Sequence, residues 1–189
     1  MTKDKQKRSR YVIGIDLGTT NSAMAYIDTR KFPTGGPGAV QVFSIPQLIG
    51  EGEIADRQGL PSFLYLSPGH ELPQGSLDLA WAKDRDFALG EFARLQGAKV
   101  HGRLISSAKS WLCHAGVDRR APILPWGDVK EVAKRSPVEA SAMYLAHMRD
   151  AWNHVMAGEN EAERFEKQEL IVTVPDSFDE VARELTLEA

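Results

Sequence analysis

The chain has 189 residues, 42% of them hydrophobic and 26% charged, enough for one domain with a sizeable core or for two small subdomains. A formal net charge of -3 argues against a surface built for nucleic acid or for a membrane, and the single cysteine, Cys113, excludes an intrachain disulfide. No apolar run is long enough to span a bilayer, and the short stretch from Tyr11 to Leu17 contains Asp16, which a secretory signal would not; the expected location is cytoplasmic.

A basic opening (Lys3, Lys5, Lys7, Arg8, Arg10) reads as a solvated tail over residues 1–10. Tyr11 to Leu17 is short, apolar and β-branched, Gly18-Thr19-Thr20-Asn21 breaks it, and Ser22 to Ile27 resumes an extended pattern, which predicts a β-hairpin. Pro33 to Gly38 marks a loop, and Val40 to Ile45 suits a third strand. The middle is irregular, with a short strand at Ser62 to Leu66 and helical patches at Leu89–Gln96 and Ile105–Leu112. It reads as a small α+β subdomain, residues 46–136, inserted into a core subdomain made of residues 11–45 and 137–189.

Ser136-Pro137-Val138-Glu139 has a capping serine, a proline at the first helical position and a glutamate three residues past the cap. Val138, Ala142, Leu145, Met148, Trp152 and Val155 then recur at helical spacing and predict one core-facing stripe. Gly158 to Glu169 is charged and turns the chain. Leu170 to Val174 has the pattern of a buried strand ended by Pro175, and Asp176 to Ala189 opens a further helix.

The break in the first hairpin carries the chemistry. A carboxylate at the end of a buried strand is costly unless compensated, and a divalent cation held directly or through its waters is one partner for Asp16. Gly18 permits close backbone approach to a phosphate, Thr19 and Thr20 bring hydroxyls, and successive amides in such a turn form an anion-binding concavity. The same spacing also suits a plain hairpin turn in which Asp16 accepts local backbone hydrogen bonds. The histidines show no metal-ligand spacing, and neither a P-loop nor a Rossmann glycine motif is present.

Ile13-Gly14-Ile15-Asp16-Leu17-Gly18-Thr19-Thr20-Asn21-Ser22 closely resembles the first phosphate motif of the Hsp70 (DnaK-like) chaperones and, more broadly, of the actin, Hsp70 and sugar-kinase superfamily. Three further segments, in the family's order, resemble Hsp70: Leu60-Pro61-Ser62-Phe63, Ser136 to Leu145, and Ile171-Val172-Thr173-Val174-Pro175-Asp176-Ser177-Phe178. The resemblance implies the α/β, ribonuclease H-like first lobe of an actin-like ATPase, a mixed sheet with flanking helices, in an atypical member. It implies Mg²⁺ and ATP or ADP as ligands. Asp16 would hold hydrated magnesium, and Gly18, Thr19, Thr20 and Asn21 would meet the phosphates.

Ser107-Ala108-Lys109-Ser110-Trp111-Leu112 is similar to the family segment whose lysine stabilises the transferring phosphoryl group, which implies that role for Lys109. Trp111 and Cys113 depart from the family there. Pro175 and Arg183 match residues that relay nucleotide state toward a peptide-binding domain, but Leu187 stands where the family has a companion basic residue. The implied whole is an ATP-dependent chaperone acting on unfolded client peptides with co-chaperones, without nucleic acid or membrane partners. Its second phosphate loop, adenosine pocket and peptide domain are expected beyond Ala189, so the piece is expected to be truncated and inactive alone. A sugar kinase of the same superfamily, or a non-catalytic interaction module, is the alternative.

Overall fold

The computed structural model describes residues 9–100, 102–114, 116–127, 129, 131–174 and 178–189. In chain order these form β1 (Tyr11–Asp16), β2 (Asn21–Asp28), β3 (Gln41–Val42), β4 (Ile45–Gly50), β5 (Glu53–Arg57), β6 (Leu60–Pro61), β7 (Phe63–Leu66) and β8 (Phe87–Leu89). There follow α1 (Glu91–Gly97), β9 (Leu104–Ser106), α2 (Ala108–Leu112), α3 (Pro137–Trp152), β10 (Glu169–Thr173) and α4 (Glu180–Glu188). The chain is mixed α/β. Among the described residues no helix is long and apolar enough to cross a membrane.

The principal sheet runs β10-β1-β2-β3, with β6 pairing the start of β2. Strands β1 and β2 form the expected antiparallel hairpin, from Tyr11 opposite Asp28 to Asp16 opposite Ala23. Alternation explains its seat: Tyr11, Ile13 and Ile15 are buried while Val12 and Gly14 are only partly covered. On the other side of β1, β10 pairs in parallel and sets Thr173 beside Asp16.

Several elements depart from the sequence pattern, each for a traceable reason. The strand expected over Val40–Ile45 is only two residues long; Phe43 makes one more bond to the Met24 carbonyl and then turns its ring onto Trp152, and Ile45 starts a separate hairpin with β5. The strand expected over Ser62–Leu66 starts one residue later, as Phe63–Leu66, the middle strand of β8-β7-β9; Leu60 and Pro61 just before it pair with β2 instead. Ile105 lies in β9 and not in a helix; Ser107, at φ 55, bends the chain before α2 begins. Leu89 likewise ends β8, and Gly90, at φ 84, starts α1, where an added Cβ would stand 2.3 Å from the Gln47 side-chain oxygen.

Helix α3 begins as its sequence dictates. The Ser136 hydroxyl accepts from the Glu139 amide at 3.0 Å, and the Glu139 carboxylate accepts from the Ser136 amide at 2.6 Å. Its buried face, however, is rotated from the expected stripe. Ala142 and Leu145 are partly exposed and Val155 is 51% exposed, while Ser141, Tyr144 and His147 point inward. The polar pair is tolerated because Ser141 donates to the Pro137 carbonyl at 2.9 Å and the His147 Nε2 lies 3.0 Å from the Pro46 carbonyl.

Beyond α3, Asn153–Ala157 widens into a π-helical turn and two short 3-10 turns lead into β10. Trp152 anchors this end. It is fully buried against Tyr11, Tyr26 and Phe43, with its indole N–H donating to the Glu163 carbonyl at 3.0 Å; truncating so large a buried ring costs about 3–5 kcal/mol.

The main core joins Ile13, Ile15, Met24, Tyr144 and Trp152 to Leu60, Leu64, Leu89 and Ile105 from the middle of the chain. A smaller cluster, including Leu48, Tyr65, Leu79 and Phe92, lies wholly within that middle stretch. Strand β10 contradicts the expectation of a buried strand: it is last in the sheet order, with Leu170 42% and Ile171 51% exposed.

Candidate functional site

The turn between β1 and β2 is open at its front and tied at its back. Asp16, Thr19, Thr20 and Asn21 are exposed, and Leu17 between them is buried as an anchor. Gly18 is required by the turn itself: a Cβ there would fall 1.9 Å from the Asn21 carbonyl oxygen. Apart from any approach of a phosphate, the fold itself therefore calls for glycine here.

Ser62 forms the back of the turn. Its amide donates to the Thr20 carbonyl at 2.8 Å and its hydroxyl to the Gly18 carbonyl at 2.8 Å, with the Ser22 hydroxyl 3.1 Å away. Two turn carbonyls are thereby held rearward. Among the described residues no protein acceptor takes up the amides or hydroxyls of Thr19 and Thr20, so these donors are available to an anion at the open side.

Asp16 is positioned from β10. The Thr173 hydroxyl lies 3.1 Å from the Asp16 carboxylate and 3.3 Å from the Ile15 carbonyl, a contact that follows from the parallel register. Thr173 stood inside a motif that sequence reading quoted, but nothing local marked its side chain as a neighbour of Asp16. Among the described residues no group of three or more His, Cys, Asp or Glu comes together that could hold a metal ion. One exposed carboxylate beside open N–H and O–H donors fits a hydrated magnesium ion; it does not fit a metal caged by protein.

Lys109 comes from α2. It is only 8% exposed, and its ammonium stands 5.5 Å from the centroid of the Phe178 ring, within reach of a cation–π contact. Burial lowers its pKa, and the Asp16 carboxylate, followed by Cys113, acts in the opposite direction. Lys109 and the hairpin carboxylate therefore share one electrostatic neighbourhood. Among the described residues Lys109 forms no ion pair; its ammonium rests over the Phe178 ring and in the field of Asp16.

Arg183 lies on the exposed side of α4, and its Nε donates to the Phe178 carbonyl at 3.2 Å. Pro175 and the tail from Met1 to Arg8 lie outside the described residues. Sequence reasoning missed Phe178 as the partner of Lys109; it also missed the buried Arg119, whose guanidinium grips Asp179. No family model matches the chain, and no curated protein matches it.

Proposed function

We propose that this chain supplies the first phosphate-binding hairpin of an Hsp70-like, actin-fold ATPase, in which Mg-ATP hydrolysis is coupled to protein folding. The observation that carries the reading is Lys109, an ammonium mostly withdrawn from solvent that forms no ion pair among the described residues and lies in the field of Asp16, at the end of the turn whose front donors are open. A superfamily member built to bind a sugar would call for an acid where Lys109 stands.

Phosphoryl transfer to water depends on positioning and charge stabilisation more than on covalent chemistry. Thr19 and Thr20 would grip β- and γ-phosphate oxygens through amides and hydroxyls. Asp16 would orient the waters of a magnesium ion, aligned by Thr173. Magnesium would supply positive charge that neutralises the phosphate oxygens. Lys109 would place a point charge where negative charge develops on the γ-phosphate. In this reading the opposing wall of the cleft would come from a second lobe. Peptide clients and co-chaperones would act through other parts of the assembled protein.

The test is an amide-resolved NMR titration of the 189-residue chain with Mg-ATP and Mg-tripolyphosphate. A single open turn should bind weakly, at about the millimolar level. Shifts should centre on Gly18 to Asn21 and on α2, and both Asp16→Ala and Lys109→Ala should remove them. Shifts confined to other surfaces, or unaltered by both substitutions, would overturn the proposal.

A further inference from the structure

We infer that Arg119 is a positioning residue for Lys109, acting through a forked ion pair that seats the start of α4 and the Phe178 ring beside the ammonium. The geometry stands independently of the proposed function; only its consequence for phosphate binding rests on that reading.

Arg119 is 9% exposed, and its two terminal nitrogens donate in parallel to Asp179, Nη1 to Oδ1 at 3.0 Å and Nη2 to Oδ2 at 2.7 Å. A two-point fork fixes the rotation of the carboxylate as well as its distance. The same Oδ1 accepts the Ala182 amide at 2.7 Å, so Asp179 is also the N-cap of α4. Hydrogen bonding from Arg119, then from that amide, holds the Asp179 carboxyl at about 2, so it remains ionised wherever the protein is folded at ordinary pH. One residue earlier is Phe178, 4% exposed, whose ring faces Lys109.

Helix α4 turns Ala182, Leu185 and Thr186 inward, and among the described residues Leu185 joins Leu112 and Val138 in a small apolar cluster. Arg119 and Arg120 add polar ties to that seat, one near each end of the helix. Arg120 pairs with Glu188 at the far end, but in the open, where such pairs contribute little. The Arg119–Asp179 fork sits at the end next to Lys109. Cys113 lies in the fields of Asp179, Arg119 and Lys109 together and contacts the Lys109 carbonyl at 3.5 Å, so these groups occupy one small region. The chain of support runs from Arg119 to Asp179 to Phe178 to Lys109, joining residues 60 positions apart by its first step.

The test follows the Lys109 ε-methylene resonance, which the Phe178 ring current displaces, in the full chain and in Arg119→Ala, Arg119→Lys and Asp179→Asn. Asparagine still caps a helix, so Asp179→Asn removes the ionic fork while leaving the α4 start capped. Arg119→Ala and Asp179→Asn should return the Lys109 resonance toward an ordinary lysine and weaken Mg-tripolyphosphate binding roughly tenfold, as expected for a displaced charge. Arg119→Lys, a point charge without the fork, should keep part of both. An unchanged Lys109 resonance in Asp179→Asn, with α4 amides still helical, would overturn the inference even if Arg119→Ala failed to fold. If the unsubstituted chain shows no hairpin shifts with Mg-tripolyphosphate, the functional reading fails, and the Lys109 resonance still decides the clamp.

Discussion

The hydroxyl of Ser62 donates to the carbonyl of Gly18 at 2.8 Å, so a residue 44 positions away holds the back of the turn whose front is the candidate site. Ser62 is 3% exposed, and its own amide is bonded to Thr20. Ser62→Ala would leave the Gly18 carbonyl and the buried Ser22 hydroxyl short of a partner. The expected loss is about 1–3 kcal/mol in urea denaturation. Amide shifts should also change at Thr19 and Thr20, and the Mg-tripolyphosphate response should fall. A variant with unaltered turn shifts would show that the turn holds itself.

His147 should make the fold acid-sensitive. Burial, and secondarily the charge of Arg85, lowers its pKa from 6.5 to about 4, while the Pro46 carbonyl and Asp150 act weakly the other way. Among the described residues its Nδ1 has no hydrogen-bond partner. The unfolded chain takes up a proton near 6.5 that the folded chain refuses until about 4, so the unfolded state holds more protons between those values. Stability contributed by the neutral ring is therefore complete above 6.5 and declines as pH falls toward 4, by about 3 kcal/mol. Urea midpoints measured across that window should fall in the parent and fall distinctly less in His147→Gln, which retains an amide for the Pro46 carbonyl. Equal pH slopes would refute the assignment.

Strand β10 presents an apolar edge. Leu170 and Ile171 are exposed at the end of the sheet order, without the lysines or prolines that commonly blunt such edges. The chain should self-associate at high concentration. Ile171→Lys should reduce that association while leaving the β1–β10 register, read from amide shifts, in place. Sedimentation velocity of the two proteins makes the comparison, and equal association would move the sticky surface elsewhere.

Features encoded within a few consecutive residues were legible in the sequence alone. The β1–β2 hairpin follows from an alternating strand, a Gly-Thr-Thr break and a second strand, and the start of α3 follows from Ser136, Pro137 and Glu139, whose bonds close within one turn. Asp16, Gly18, Thr19 and Thr20 could be nominated for the same reason. Tertiary structure decided what depends on distant partners. Apolar spacing in α3 could not reveal its buried face, because Ser141 and His147 are made tolerable inside by carbonyls that only the fold supplies. The apolar run of β10 could not reveal that one flank lies open. Lys109 reads as a surface charge until α2 carries it over Phe178 and into the field of Asp16, and Arg119 is unremarkable until Asp179 meets it. Local backbone and capping energies act over a few residues of chain, whereas burial and charge pairing act over a few ångströms of space, and only folding converts one distance into the other.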